Sequence, residues 1–128
     1  MSVRVAYHET DGQCRVHHAN YLNYLEQCRV EMLRHHGFNY REFEQSGLML
    51  VVVEMHVRYR SAAEFDDVLR ITTHVVEVRG VRIRHHYVVE RDSDVIVEAD
   101  STIACIDREG KVRRLPEKWA KLYSHPDA

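Results

Sequence analysis

The amino-acid sequence predicts an α+β fold in which one long amphipathic helix packs against one large antiparallel sheet. Two patterns within the 128 residues carry this prediction. Apolar residues recur with helical spacing across residues 19–36, and from residue 48 onward they recur at every second position, in stretches that turn signals separate. Because short turns join the later strands, these strands should pair as antiparallel hairpins. The chain length fits one domain, predicted to span residues 1–128.

The long helix is predicted at residues 19–36 from an apolar stripe and a stop signal. The stripe consists of Tyr21, Leu25, Cys28 and Met32, at spacings of four, three and four. Such a stripe is typical of a helix that has one face on a core, and Gly37 provides the C-terminal stop. A second, shorter helix is predicted from Tyr40 to Ser46, where Gly47 follows.

The strands are predicted from alternation, beginning with a short strand from Val3 to Tyr7. The later strands are predicted at residues 48–60, 68–78, 81–90, 95–106 and 111–114, with a final helix at residues 116–123. In the first of these, alternation places the odd-numbered apolar residues on one face, namely Val51, Val53, Met55, Val57 and Tyr59. After Val75 the apolar pattern changes faces, which indicates either a β-bulge or a strand that is covered on both sides.

Composition excludes several classes of protein. The net charge of -2 gives no electrostatic argument for binding nucleic acid. The three cysteines are an odd number, lie far apart and form no CxxC pair, so we expect no disulfides and a cytoplasmic location. The longest aliphatic run, residues 48–53, is far shorter than the ~20 apolar residues of a membrane-spanning helix, so we expect no membrane insertion. The ten histidines include neither HxxxH nor HxH, so no metal site is predicted.

The stretch from Tyr7 to Tyr24 carries the most specific chemical signal. Asp11 precedes a turn at residues 12–15, and the long helix begins shortly afterwards. A carboxylate is thus placed near a helix N-terminus, where free backbone N–H groups and the positive end of the helix dipole gather. This arrangement suits attack on a carbonyl, because the carboxylate serves as nucleophile or base and the N–H groups hold a developing oxyanion. The alternative is that Asp11 is only a turn residue.

The same stretch resembles the signature of the 4-hydroxybenzoyl-CoA thioesterase-like family. The matching residues are Tyr7, Thr10, Asp11, Val16, His18, Ala19, Asn20, Tyr21 and Glu26. The resemblance runs from about Val3 to Trp119 and implies a hotdog fold, in which a curved antiparallel sheet of five or six strands wraps the long central helix. It departs at Cys14, where the family usually has glycine.

The resemblance implies catalytic roles for Asp11 and His18. Asp11 would act as nucleophile or as general base, and both mechanisms stay open. His18 would contribute its backbone N–H or its imidazole. Substrate-binding roles are assigned to Tyr7, His17, Tyr21, Arg58 and Arg60. The alternatives are packing for the tyrosine at position 7, a surface or capping role for the histidines, and a solvated sheet face for the arginines, which would otherwise contact the phosphates of coenzyme A.

The predicted function is that of an acyl-CoA thioesterase acting on a short-chain, medium-chain or aromatic acyl group. The resemblance implies a homodimer or homotetramer with its site at a subunit interface. The substrate is an acyl-CoA or acyl-carrier thioester, and no cofactor is needed because coenzyme A belongs to the substrate. The alternative is a non-catalytic protein that binds acyl thioesters on the same fold, which the departure at Cys14 favours. Cys14 as a nucleophile and a hydratase activity are weaker alternatives.

Overall fold

The computed structural model describes residues 1–119, which form five strands and two α-helices. The strands are β1 (Ser2–Arg4), β2 (Leu48–Tyr59), β3 (Val68–Arg79), β4 (Arg82–Arg91) and β5 (Asp94–Asp107), and the helices are α1 (Asn20–His35) and α2 (Tyr40–Gln45). The strands form one sheet in the order β1-β3-β4-β5-β2, and every neighbouring pair is antiparallel. The predicted α+β class and the antiparallel sheet are confirmed.

The helix α1 lies against the sheet through the predicted apolar face, and both of its ends fall within one residue of the prediction. Its buried residues are Tyr21, Tyr24, Leu25, Cys28 and Leu33. All but Leu33 share a core cluster with sheet residues that include Leu69, Tyr87 and Val97, and Leu33 belongs to a second cluster with Ile83. Full burial of a large apolar side chain contributes about 1.5–3 kcal/mol, so this face is the main attachment of α1. Near the C-terminal end the stripe shifts, and Leu33 is buried while Met32 is half-buried.

The strand β2 contains a β-bulge that the alternation did not reveal. Its paired positions pass from Val52 directly to Glu54, so Val53 is the additional residue. Even-numbered residues before the bulge and odd-numbered residues after it pack on the core, namely Leu48, Leu50, Met55 and Val57. The prediction that Val51 and Val53 lie on the same face as Met55 is therefore wrong, because one extra residue exchanges the two faces of a strand.

The strand β3 contains a second bulge. Its paired positions pass from Val75 to Glu77, which leaves Val76 as the additional residue. Val75 and Val78 both pack on the core, although regular alternation would place them on opposite faces. Val76 is 59% exposed, so the bulge, and not coverage on both sides, accounts for the change of pattern.

The first strand is shorter than predicted, because the residues Tyr7–Glu9 form a 3-10 helix. The carboxylate of Glu9 accepts a hydrogen bond from the backbone N–H of Ala6 at 2.7 Å. The hydroxyl of Thr10 donates to the carbonyl of Tyr7, also at 2.7 Å. These local bonds compete with strand pairing for the backbone groups of this segment. The prediction of a strand up to Tyr7 is therefore wrong.

The strand predicted at residues 111–114 is reduced to one isolated β-bridge at Val112. The carboxylate of Asp107 accepts hydrogen bonds from the backbone N–H groups of Glu109 and Lys111, at 2.9 and 3.0 Å, and these bonds hold the chain in a turn. The start of the predicted final helix is present, and the rest of it lies outside the described residues. No described helix has both the length and the apolar character that crossing a membrane requires.

Candidate active site

A tight loop places Asp11 just before the start of α1. The backbone N–H of Asp11 donates to the carbonyl of Arg15 at 2.9 Å, and the N–H of Cys14 donates to the carbonyl of Asp11 at 3.0 Å. One carboxylate oxygen, Oδ1, accepts a hydrogen bond from the N–H of Gln13 at 2.8 Å. The other oxygen has no partner among residues 1–119, so it is available to a ligand or a water molecule.

The residue Cys14 adopts the left-handed backbone conformation, with φ of 64°. Glycine enters this region without steric cost, whereas an L-residue is destabilised there by about 1–2 kcal/mol. The loop thus needs a conformation that favours glycine, the residue usual at this position in the family that the sequence resembles. Cys14 adopts this conformation despite its steric cost, and its thiol is exposed.

The residue Glu9 attaches the segment before the loop to the first turns of α1. Its carboxylate accepts a hydrogen bond from the hydroxyl of Tyr24 at 2.7 Å. Its backbone carbonyl accepts from the N–H of His17 at 2.9 Å and from the side-chain amide of Asn20 at 2.8 Å. These bonds, called here the Glu9 network, fix the position of the Asp11 loop relative to α1.

The two histidines at the entry to α1 have different contacts. The Nδ1 atom of His17 accepts a hydrogen bond from the N–H of Ala19 at 3.2 Å, so this ring holds the turn that leads into α1. The carbonyl of His18 accepts from the hydroxyl of Tyr59 at 3.1 Å, which ties the helix entry to the end of β2. Within residues 1–119 the backbone N–H of His18 has no acceptor. His18 lies one residue before Ala19, the N-cap of α1.

Asp11 and His18 line one open pocket of about 250 Å³, called here the Asp11 pocket. Its lining residues are Asp11, Gln13, Arg15, Val16, His18, Tyr21, Tyr59, Arg60, Ser61 and Ala62. Four predicted site residues therefore lie together, namely Asp11, His18, Tyr21 and Arg60. They come from a loop, a helix entry and the end of a strand.

Three predicted site residues lie outside the Asp11 pocket. Tyr7 is 77% exposed and meets the ring of Phe65 edge-on, with the ring centroids 5.6 Å apart. The ring of His17 holds the turn that leads into α1. Arg58 lies on the face of β2 that points away from the core. Its Nη2 atom is 2.9 Å from a carboxylate oxygen of Asp100. The substrate-binding roles of these three residues stay predictions.

Several pocket residues were not predicted from the sequence, among them Arg15, Tyr59 and Ser61. The available signal for Tyr59 was its place at the end of a long strand, directly before Arg60. The sequence does not show that this strand end returns to the entry of α1, 41 residues earlier in the chain. That return is what makes Tyr59 a pocket residue.

The Asp11 pocket combines phenols, guanidinium groups and one carboxylate. Burial raises the pKa of Tyr21 and also that of Tyr59, so both phenols stay neutral at physiological pH, and the Tyr59 hydroxyl donates to the carbonyl of His18. Arg60 lies 3.9 Å from a carboxylate oxygen of Glu98, and Arg15 has no ion pair among the described residues. The same part of the chain holds no cluster of three or more His, Cys, Asp or Glu side chains that could bind a metal ion.

Known proteins with similar sequences are thioesterases and esterases. A family model described as the thioesterase-like superfamily matches residues 5–122. The acyl-CoA thioester hydrolase YbgC of Escherichia coli O6:H1 is 35% identical over 117 residues, which cover 90% of this chain and 87% of that protein. The acyl-CoA thioesterase YbgC of Haemophilus influenzae is 36% identical over 126 residues, which cover 96% of this chain and 92% of that protein.

Solved structures give the same result. A probable thioesterase from Bartonella henselae superposes with a TM-score of 0.85 at 35% identity, covering 91% of this chain and 97% of its own. A DHNA-CoA thioesterase from Staphylococcus aureus superposes with a TM-score of 0.92 at 22% identity, covering 97% and 87%, and this likeness shows the fold alone. Fold and relatives together define a thioester hydrolase of the hotdog fold. The chain belongs to the thioesterase-like superfamily, and the predicted family, fold and enzyme class are confirmed.

Proposed function

We propose that this protein is an acyl-CoA thioesterase that uses the carboxylate of Asp11 and the backbone N–H of His18. One observation carries the proposal: Asp11 and His18 line the same pocket, and within residues 1–119 one carboxylate oxygen of Asp11 has no partner and the backbone N–H of His18 has no acceptor. A nucleophile or base beside a hydrogen-bond donor is what hydrolysis of a thioester requires. The relatives that are named acyl-CoA thioester hydrolases support the substrate class.

In this proposal the thioester carbonyl lies between Asp11 and His18, with its oxygen at the His18 N–H. As nucleophile, Asp11 attacks the carbonyl carbon, and the carbonyl π electrons move to oxygen. Collapse of this oxyanion expels the thiolate and leaves a mixed anhydride between Asp11 and the acyl group. Water then hydrolyses the anhydride. As general base, Asp11 takes a proton from the attacking water and passes it to the leaving thiolate. In both routes the N-terminal end of α1 stabilises the oxyanion.

The proposed substrates carry a short-chain, medium-chain or aromatic acyl group on coenzyme A or on an acyl carrier. Arg15 and Arg60 line the Asp11 pocket and give it a positive side, which suits the phosphate groups of coenzyme A. The proposed reaction needs no cofactor, because coenzyme A belongs to the substrate and water supplies the second oxygen of the carboxylic acid product.

The proposed enzyme is a homodimer, or a homotetramer of two such dimers, that associates through β2. This strand of 12 residues is an edge of the sheet, and Val52 and Val53 on it are 50% and 52% exposed. A long apolar edge strand is a template for pairing with another chain. Antiparallel pairing with a second copy would give a two-fold dimer and would bring Tyr59 of the Asp11 pocket beside the start of the second β2. The site would then lie at a subunit interface.

Hydrolysis of a panel of CoA thioesters tests the proposal. We expect the wild-type protein to release free thiol catalytically from at least one of acetyl-CoA, hexanoyl-CoA and benzoyl-CoA. Asp11→Asn should lower kcat by about 10²–10⁴-fold, the contribution of a positioned base, without a change in circular dichroism because the amide is nearly isosteric. Arg4→Gln, which removes an exposed ion pair with Asp66, is the control and should keep the wild-type rate. Wild-type turnover in Asp11→Asn contradicts the proposed mechanism.

The second candidate function is that of a non-catalytic acyl-thioester binding protein. The strained backbone of Cys14 favours it, since the departure lies three residues from Asp11 in the loop that carries the proposed chemistry. The same panel separates the two functions. Binding of CoA thioesters without release of thiol by the wild-type protein supports the binding function, and catalytic release excludes it.

A further inference from the structure

A second pocket lies between α1 and the sheet, near the opposite end of β2 from the Asp11 pocket. Its volume is about 270 Å³, and its apolar walls include Val30, Leu33, Leu50 and Ile103. Val52 also lines it, and Tyr59 of the Asp11 pocket lies seven positions further along β2, roughly 23 Å of strand. Within one chain the two pockets are therefore distinct. The second is called here the Arg29 pocket, after the cation in its wall.

Arg29 is a half-buried cation in an apolar setting. Its Nη1 atom donates a hydrogen bond to the hydroxyl of Tyr87 at 3.1 Å, and its guanidinium carbon lies 5.9 Å from the centroid of that ring. Arg29 forms no ion pair with any residue in the described part of the chain, whereas Arg34, on the same helix, pairs with Glu31. Because a partly desolvated charge without a counter-ion is unfavourable, the pocket favours an anion beside Arg29.

The other ionisable groups of the Arg29 pocket leave its interior positive. His85 is 4% exposed, and burial together with the charge of Arg29 lowers its pKa to about 3, so its ring is neutral at physiological pH. Glu26 also lines the pocket, but its side chain is exposed and water screens its charge. Tyr40 also lines the pocket, and its hydroxyl accepts a hydrogen bond from the backbone N–H of Leu50 at 3.1 Å. The interior thus presents one guanidinium, one neutral imidazole and one neutral phenol beside its aliphatic walls.

We propose that the Arg29 pocket binds a small carboxylate that carries an apolar body. The planar guanidinium matches a carboxylate through two parallel hydrogen bonds, and the aliphatic walls favour an apolar body, which inorganic phosphate lacks. The pocket volume suits a small molecule and excludes a whole coenzyme A. Two sources share this chemistry: a free carboxylic acid, and the distal carboxylate of a dicarboxylic acyl chain.

Direct binding to the full-length protein tests this proposal with benzoate as the probe. In isothermal titration calorimetry we expect benzoate to bind the wild-type protein and Arg29→Met to weaken that binding at least tenfold. Arg29→Lys should recover part of the lost affinity, since lysine restores the positive charge but not the two parallel N–H donors of a guanidinium. Arg34→Met is the matched control, because it removes an exposed, paired arginine from the same helix, and it should bind benzoate like the wild type.

Two ligand comparisons on the wild-type protein keep the test independent of whether a variant folds. Benzamide, the neutral isostere, should bind at least tenfold more weakly than benzoate, and millimolar inorganic phosphate should not displace benzoate. The Arg29→Met protein itself is expected to fold, because the Tyr87 hydroxyl keeps its 2.6 Å hydrogen bond with Ser101. Equal affinities for benzoate and benzamide, or equal affinities of wild type and Arg29→Met for benzoate, would overturn the proposal.

A kinetic comparison distinguishes the two sources of the carboxylate, and this arm rests on the proposed thioesterase function. Glutaryl-CoA and pentanoyl-CoA have acyl chains of equal length, and only the first ends in a carboxylate. If the acyl chain is the source, the ratio of their kcat/KM values falls at least tenfold in Arg29→Met and stays unchanged in Arg34→Met. An unchanged ratio in both variants identifies a free acid as the ligand. If no thioester is hydrolysed, the proposed thioesterase function is wrong. The benzoate titration still determines whether the Arg29 pocket binds a carboxylate.

Discussion

The backbone of His18 and the ring of His17 act at the same helix entry in different ways. His18 lines the Asp11 pocket and its backbone N–H has no acceptor within residues 1–119, while the His17 ring accepts a hydrogen bond from the N–H of Ala19. A backbone donor remains when its side chain is replaced, but the hydrogen bond of the His17 ring is lost with the ring. The two positions should therefore respond differently to alanine.

We predict that His18→Ala lowers kcat/KM by less than about tenfold, because the proposed oxyanion donor is its backbone N–H. His17→Ala should instead lower the free energy of unfolding by about 0.5–1.5 kcal/mol, the net contribution of one hydrogen bond. Steady-state kinetics and urea unfolding measure the two effects. A hundredfold fall in kcat/KM confined to His18→Ala would show that its imidazole takes part in catalysis.

The strained conformation of Cys14 makes a second prediction. Cys14→Gly should raise the free energy of unfolding by about 0.5–1 kcal/mol, because relief of the left-handed strain exceeds the added entropy of the unfolded chain. Cys14→Ala is the control, since it removes the thiol and keeps the strain, and it should show no such gain. The midpoints of urea unfolding measure the stability of each variant. Equal stability of Cys14→Gly and Cys14→Ala would contradict the backbone strain at this position. Loss of turnover in both variants would instead identify the thiol as the nucleophile.

The Glu9 network joins the segment before the Asp11 loop to α1, so it should affect catalysis without touching substrate. Tyr24 is 1% exposed, and its hydroxyl donates to the Glu9 carboxylate. We predict that Tyr24→Phe lowers the free energy of unfolding by about 1.5–3 kcal/mol, the value of a hydrogen bond to a charged group. It should also lower kcat about tenfold with little change in KM, because small displacements of catalytic groups are costly.

The control for this change is Tyr87→Phe, which removes a buried hydroxyl that faces the same core away from the Asp11 pocket. It should lower stability and leave kcat near the wild-type value. An unchanged kcat in Tyr24→Phe would show that the Glu9 network does not affect catalysis.

The buried hydroxyl of Tyr24 also gives a pH dependence. Burial, followed by the hydrogen bond to Glu9, raises the pKa of Tyr24 well above its usual value of 10.0. Above pH 10 the native state therefore holds a proton that the unfolded state has released, so the free energy of unfolding falls as pH rises above about 10. The fall should be shallower in Tyr24→Phe than in the wild type, measured by urea unfolding at several alkaline pH values. Parallel pH profiles of the two proteins would contradict this assignment.

At the level of the assembled molecule, the exposed edge of β2 predicts association. Light scattering should give at least twice the 15.1 kDa mass of the chain. Val53→Lys should shift this mass toward the monomer, because a charge on an edge strand opposes pairing. Val76→Lys is a matched control: Val76 is also a bulge residue and is 59% exposed, but it lies on β3, which β4 and β5 separate from β2 in the sheet. A monomer mass for the wild type, or equal effects of the two lysines, would contradict association through β2.

The elements that were predicted correctly depend on patterns local in the chain. The stripe from Tyr21 to Cys28 repeats with the helical period, and α1 lies where that stripe is. In β4 the buried residues Ile83, Tyr87 and Val89 alternate as the sequence indicates. The approach of Asp11 to a helix N-terminus was predictable for the same reason, since only a few residues separate them. The prediction of one domain over residues 1–128 stays a prediction.

Contacts between distant residues decided the rest. The bulges at Val53 and Val76 depend on how each strand pairs with its neighbour, and they change which residues face the core. Tyr59 enters the Asp11 pocket because β2 ends beside the helix entry, and Arg29 acquires its aromatic partner from a strand 58 residues later. Local periodicity is a property of a short segment and can be read from it. Register, edge position and the lining of a pocket depend on burial shared by segments far apart in the chain, and these are settled when the sheet closes on the helix.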